Sequence, residues 1–134
     1  MSLSPDSFLR RVLVFDAVTC GAMAVLLIAA TGVVAGLTGL PAEVLRGAAI
    51  ILIPFALFLV ALARQQTPSA GGVKAVIAIN ILWVVASAAL LLSGRVDPTL
   101  LGTAFVIAQA LAVLGIAELE IVGFKRLTRG LRTA

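Results

Sequence analysis

The sequence predicts an all-α protein, a four-helix transmembrane bundle that forms a single domain. Its 134 residues are 62% hydrophobic and 12% charged, which leaves little material for a folded part outside a membrane. Four continuous apolar runs are each long enough to cross a hydrocarbon core about 30 Å thick as a helix. Strands of a membrane barrel would alternate over about ten residues instead. The predicted spans are residues 12–37, 42–63, 73–94 and 99–124.

The first two spans are separated by a short break. The first is longer than the core of a signal peptide, which has about 7–15 residues, and a second span follows it directly. We therefore expect it to remain as an uncleaved helix. Pro41 and Glu43 mark the start of the second span, because proline and an acidic residue both suit the first turn of a helix.

The third and fourth spans follow the two remaining connections. Residues 64–72 contain Pro68 and a pair of glycines, which are typical of turns, and they form the longest connection. Asp97 and Pro98 come directly before the fourth span. Because aspartate is a good N-cap and proline suits the first turn, this dipeptide predicts the start of the fourth helix.

A weak internal repeat aligns the two halves of the chain at an offset of 55 residues. It superimposes Gly39, Leu45, Gly47, Ala49 and Leu59 on Gly94, Leu100, Gly102, Ala104 and Leu114. One explanation is a duplication that gives two helical hairpins related by a parallel repeat. The other is chance, because so few residue types dominate this composition.

The basic residues predict the orientation in the membrane. Eight of ten would lie on one side, namely Arg10, Arg11, Arg64, Lys74, Lys125, Arg126, Arg129 and Arg132, and the other two, Arg46 and Arg95, on the other side. Lysine and arginine favour the cytoplasmic side, so both termini are predicted to be cytoplasmic. The net charge of +4 is explained by anionic lipid headgroups, and nucleic acid is not an expected partner.

The composition argues against most catalytic and cofactor chemistry. The chain has no histidine and no tyrosine, and it has one cysteine. Histidine is the commonest metal ligand and a frequent general base, and one cysteine cannot form a thiolate metal site or an intrachain disulfide. We therefore predict no enzyme activity, no catalytic residues, no cofactor and no metal site.

Several polar residues fall within the predicted spans. Asn80, Trp83 and Ser87 share one face of the third helix, and Gln109 lies at about the same depth in the fourth. We expect Gln109 to bond a third-helix side chain or the carbonyl that Pro54 frees in the second helix. Two interpretations stay open. These residues form hydrogen bonds between helices, worth about 0.6 kcal/mol each, or they line a polar cavity that belongs to a pathway.

Acidic residues in the spans allow the same two interpretations. Asp16 is predicted about one turn inside the first helix, near the cytoplasmic headgroups, where it would pair with Arg11 or Arg126. The alternative is that Asp16 faces a polar cavity with Asn80 or Glu118 and serves an ion path. The ion pair is the favoured interpretation.

Small residues indicate where helices can approach each other. Gly32 and Gly36 form a GxxxG pattern, and Ala104, Ala108 and Ala112 form a ridge on the fourth helix. Such faces allow close packing of helices in lipid. There are more of them than one bundle needs, so a homo-oligomer or another membrane protein is the expected partner, besides the membrane lipids.

Two runs also resemble a known group of proteins. Residues 80–87 with residues 90–94, and residues 102–110, from Gly102 to Ala110, are similar to those of small, uncharacterised four-helix membrane proteins of bacteria. The resemblance implies the architecture and no activity. The bacterial inner membrane is the expected location, because the apolar runs predict spanning helices and not the strands of a barrel.

Three classes of function remain. The favoured class is a non-catalytic membrane protein that acts as an oligomer or as an accessory subunit of a membrane complex. The second is a small transporter or channel with a cytoplasm-facing cavity. The third is a membrane enzyme acting on lipid or quinone, with Asp16, Glu118 or Glu120 as acid or base, but the sequence shows no convergent set of groups for it. A water-filled cavity that reaches Gln109 favours the second class, and dry packing there favours the first.

Overall fold

The computed structural model describes the backbone of residues 5–133 and the side chains of residues 7–129. Over this range it contains five helices and no strand. The helices are α1 (Pro5–Ala29), α2 (Thr31–Thr38), α3 (Ala42–Ala63), α4 (Ala70–Leu92) and α5 (Leu100–Thr133). The side chain of Arg132, which contributes to the predicted charge asymmetry, lies outside the described residues.

Within the described residues, four helices are long and apolar enough to cross a membrane. The segments are Ser7–Ala29, Ala42–Ala63, Ala70–Leu92 and Leu100–Arg129. Large apolar side chains cover their outer surfaces, and Leu57 and Leu82 are each 66% exposed. Lipid tails are a better solvent than water for such a surface. The all-α fold and the multi-pass membrane character agree with the prediction.

The first predicted span is two helices, α1 and α2, which are separated at Ala30. The Thr31 hydroxyl donates to the carbonyl of Leu27 and, at 3.1 Å, to that of Ile28. Threonine side chains that bond back to their own helix often bend it. The backbone of Ala30 lies outside the α-helical region, with φ −124° and ψ 30°. Helix α1 begins at Pro5, seven residues before the apolar span at residue 12. Pro5 and Asp6 predict this start, because proline and an acidic residue both suit the first turn of a helix.

The other boundaries agree with the prediction to differing degrees. Helix α3 has the predicted bounds, whereas α4 begins at Ala70 rather than residue 73. Its cap is Ser69, whose Oγ accepts a bond of 3.1 Å from the Gly72 N–H. The predicted Asp97 cap is wrong, since Thr99 Oγ1 accepts from the Gly102 N–H at 3.0 Å as an N-cap does. Helix α5 continues past residue 124 to Thr133.

Helix α1 is central to the packing. It packs against α3 and against α5, while α4 packs mainly against α5 and only slightly against α3. One apolar core cluster includes Leu13, Leu59 and Val76, and a second includes Leu27 and Val106. The predicted internal repeat is not tested by this arrangement and stays a prediction.

Basic side chains gather where α1 and α4 begin and α3 and α5 end, and we call this the basic end. Nη2 of Arg10 donates to the carbonyls of Gln65 and Gln66, both at 2.7 Å. The Arg126 guanidinium lies over the ring of Phe8, 4.7 Å from its centroid. These contacts join the start of α1 to the α3–α4 connection and to the end of α5.

Helix α5 approaches the first two helices closely at two glycines. A Cβ on Gly123 would lie 3.1 Å from the Cβ of Leu9 in α1, and one on Gly102 would overlap the carbonyl oxygen of Thr38 in α2. Between these contacts, no atom lies within 4 Å of a Cβ built on Gly115. Helix α5 therefore touches α2 near its start and α1 about two-thirds of the way along its length, and it leaves a space between these two contacts.

Candidate polar site and adjoining cleft

Asp16, Asn80 and Glu120 form a buried polar cluster, with one residue each from α1, α4 and α5. Nδ2 of Asn80 donates to Asp16 Oδ2 at 2.9 Å and to Glu120 Oε1 at 2.7 Å. The three side chains are 2%, 3% and 0% exposed. A side-chain amide has two N–H groups, and both of those of Asn80 bind carboxyl oxygens. Asn80 therefore bridges the two acids.

The two carboxyl groups are close because one nitrogen donates to both. Their bonded oxygens are about 6 Å or less apart, a range over which one ionised carboxylate disfavours ionisation of another. Glu120 Oε2 is buried and has no hydrogen-bond partner among residues 7–129. This oxygen is therefore the place in the cluster where a proton can reside.

The structure corrects the prediction that Asp16 pairs with an arginine near the headgroups. Its Oδ1 accepts from the Cys20 thiol at 3.4 Å and its Oδ2 from Asn80, while Arg126 lies on Phe8 and Arg11 is exposed. Because α1 begins at Pro5, Asp16 lies about three helical turns from its start rather than one. The structure instead places Asp16 against Asn80, as the alternative interpretation expected.

Glu118 is not part of this cluster, and Glu120 occupies the position predicted for it. Glu118 is exposed on α5, whereas Glu120 is fully buried. Helical periodicity explains the difference, since Gln109, Val113, Ile116 and Glu120 are spaced to share one face. Counting along α5 from Gln109 would have selected Glu120 from the sequence.

Trp83, Ser87 and Gln109 form a second polar network between α4 and α5. Trp83 Nε1 donates to Gln109 Oε1 at 2.8 Å. Gln109 Nε2 donates to Ser87 Oγ at 3.0 Å and to the Val106 carbonyl at 2.8 Å, and the Ser87 hydroxyl donates to the Trp83 carbonyl at 2.8 Å. Because indole is only a donor, the amide orientation follows from the network. The expected bond from Gln109 to a third-span side chain is confirmed.

The alternative partner suggested for Gln109, the carbonyl that Pro54 frees, is not used. The donor groups of Trp83 and Gln109 bind within their own network. Pro54 is exposed, and Ile50, whose carbonyl the proline would free, is 67% exposed. Pro54 lies on the outer surface of α3 and does not contribute to either polar group.

A cleft of about 430 Å³ adjoins the polar cluster, and it is lined mainly by α1 and α5. Asp16 lines it, as do Trp83 and Gln109. Phe15 and Leu119 also contribute, and they are 58% and 46% exposed on the outside of the protein. The cleft includes Gly115, where α5 stands apart from α1 between its two glycine contacts.

A second, smaller cavity of about 80 Å³ lies next to the cleft. Met23, Trp83 and Gln109 line both spaces. The hydrogen-bonded Trp83–Gln109 pair therefore stands between a space that contains Asp16 and a space closer to the α4–α5 connection. Ser87 lines the smaller cavity only.

The polar contacts between the helices at this site are hydrogen bonds between side chains. Among the described residues, no group of three or more histidine, cysteine, aspartate or glutamate side chains is arranged to hold a metal ion. No protein-family model, curated protein or solved structure matches the chain. The fold and the site define a multi-pass helical membrane protein with a buried pair of acids. The resemblance to small bacterial four-helix proteins stays a prediction.

Proposed function

We propose that this protein is a small transporter of the bacterial inner membrane, whose four long helices form one transmembrane bundle. In this proposal the Asp16–Glu120 pair carries the proton that drives transport. The observation that carries it is the bridging of the two acids by Asn80 beside a cleft that one of them lines. The basic end faces the cytoplasm in this proposal, because basic residues favour that side.

The energetic cost of the cluster supports transport over a purely structural role. Ionisable residues inside membranes are costly, and they mark ion or proton paths more often than other residues do. Apolar residues of similar volume often replace a buried polar group of charged residues without loss of stability. Packing alone therefore does not call for a second buried acid at Glu120.

The cleft supports a carrier in preference to an open channel. Channels select ions with rings of carbonyl or charged groups, whereas the cleft has no such ring among the described residues: Val113 and Ile116 line it on α5 between the levels of Gln109 and Asp16. A carrier instead needs one site next to an ionisable group, and the cleft provides this at Asp16. The space reaches Gln109, so this region is not filled by packed side chains.

The role as an oligomer or accessory subunit, favoured from sequence, stays a prediction. Gly32, Gly36 and Ala108 are exposed in the single chain, so these small-residue faces are available to a partner. An oligomer is compatible with transport.

Infrared spectroscopy of the reconstituted protein tests the proton-carrying pair. We expect a protonated-carboxyl band at neutral pH that is lost reversibly as the pH rises while the protein stays folded. The band should shift in Asp16→Asn and in Glu120→Gln, and it should disappear in the double variant. Glu118→Gln, which changes an exposed acid on the same helix, is the matched control and should leave the band unchanged. A band that is absent from the parent protein, or that persists until the protein unfolds, would contradict the proposal.

A further inference from the structure

The cleft between α1 and α5 has the chemistry of a binding site for a lipophilic organic cation. We propose that an aromatic or quaternary ammonium-type cation binds there against Asp16 and exchanges with the proton of the acid pair. This inference rests on the proposed proton-linked transport and names the class of substrate.

The size and lining of the cleft agree with such a ligand. Its volume of about 430 Å³ falls in the range of small-molecule sites, which are mostly apolar with a few placed polar groups. Phe15, Met23 and Trp83 line it and offer aromatic faces and a polarisable thioether to a ligand. Cations bind favourably over aromatic rings, and tryptophan is the best of these.

Charge complementarity selects a cation over an anion or a neutral molecule. Asp16 is the acid that lines the cleft, and no lysine or arginine within residues 7–129 lines it. Glu120 lies behind Asp16 and adds a second negative group when it is ionised. An anion would be repelled by these carboxylates, and a neutral ligand would gain nothing from them, whereas a cation is attracted to an ionised Asp16 in a low-dielectric site.

The outer surface of the protein gives such a ligand a route from the bilayer. Phe15 and Leu119 flank the cleft and are 58% and 46% exposed, so the space borders the surface that faces lipid. Lipophilic cations partition into membranes, and they can reach Asp16 without crossing a polar vestibule.

Proton exchange balances the charge of the site. Before binding, the two carboxyl groups share one proton and carry one negative charge between them. When the cation binds, the shared proton leaves to water and both carboxyl groups are ionised, so the two negative charges and the cation again sum to one negative charge. The exchange of one monovalent cation for one proton is therefore electroneutral.

Intrinsic fluorescence provides a direct binding assay, because Trp83 lines the cleft. The chain has one tryptophan and no tyrosine, so the emission comes from Trp83. The probe is tetraphenylphosphonium, added to the full-length protein in nanodiscs. Tetraphenylborate has a closely similar shape and the opposite charge, so it is the matched control ligand. We expect saturable quenching with the phosphonium and none with the borate. We also expect release of one proton per bound cation in weakly buffered solution.

Two variants test the negative charge of Asp16 and the open space of the cleft separately. Asp16→Asn should weaken tetraphenylphosphonium binding about tenfold or more. Gly115→Leu should also weaken it, because its side chain would extend into the cleft from a position where a Cβ meets nothing within 4 Å. This second variant keeps every charge and should still fold. Glu118→Gln should bind as the parent protein does.

The outcomes distinguish the substrate class from the proton-linked function. Equal binding of the phosphonium and the borate, or full binding by Gly115→Leu, would overturn the cation site in the cleft. Failure of the phosphonium to bind would also overturn the cation site. If the infrared spectrum still showed an exchangeable carboxyl band, the proposed proton-linked function would be unaffected by that failure. Saturable cation binding without proton release would retain the substrate class and refute the proton coupling.

Discussion

Replacement of Gln109 by leucine tests how much the Trp83–Ser87–Gln109 network contributes to stability. Gln109 makes two hydrogen bonds to α4, one with Trp83 and one with Ser87, and its third bond remains within α5. Double-mutant cycles in a membrane protein give about 0.6 kcal/mol per interhelical bond and at most about 1.7. Two such bonds give an expected loss of about 1.2 kcal/mol, with an upper limit of about 3.4 kcal/mol.

The free energy of unfolding in bicelles, measured by steric trapping, is the suitable assay. Ser87→Ala removes one of the two bonds and should cost about 0.6 kcal/mol. A double-mutant cycle that combines Trp83→Phe with Gln109→Leu isolates the other bond, because Phe keeps much of the ring and removes the N–H. We expect a coupling energy of about 0.6 kcal/mol. A coupling energy of zero within error would refute the assignment of this bond as an interhelical contact that stabilises the fold.

Two further predictions concern topology and packing. Reporter fusions at residue 68 and at the C-terminus should report the cytoplasm, whereas a fusion at residue 95 should report the other side; an external signal at residue 68 would reverse the orientation. Gly102→Ala should lower the free energy of unfolding by about 1–3 kcal/mol through overpacking against Thr38. Gly115→Ala adds the same methyl group to the same helix in open space, so equal effects of the two variants would contradict the close approach at Gly102.

The sequence predicts the membrane-spanning helices better than it predicts the site. Apolar runs identify the spans because lipid requires long apolar helices, and α3 has the predicted bounds. The start of an apolar run is not the start of its helix, however, and Arg10 and Arg11 belong to α1. Asp16 therefore lies about one turn beyond the start of the apolar run but about three turns from the start of α1.

The composition of the polar cluster could be predicted only in part. Asn80 stands out because it is an amide within an apolar run, but its partners depend on how α1, α4 and α5 pack. Glu118 and Glu120 are equivalent by composition, and only the register of α5 decides which one is buried. The break at Ala30 depends on hydrogen bonds from Thr31 that the apolar pattern does not reveal.

The two glycine contacts of α5 limit how the cleft can change its width. Helix α5 packs closely against Thr38 near its start and against Leu9 about two-thirds of the way along, so a rigid-body tilt would lose one of these contacts. Helix α4 is less constrained, because no Cα atom of α4 lies within 8 Å of a Cα atom of α1 among the described residues. A rigid-body displacement of α4 would pull Asn80 and Trp83 away from Glu120 and Gln109 together. The acid cluster and the boundary between the two cavities are therefore mechanically coupled through one helix.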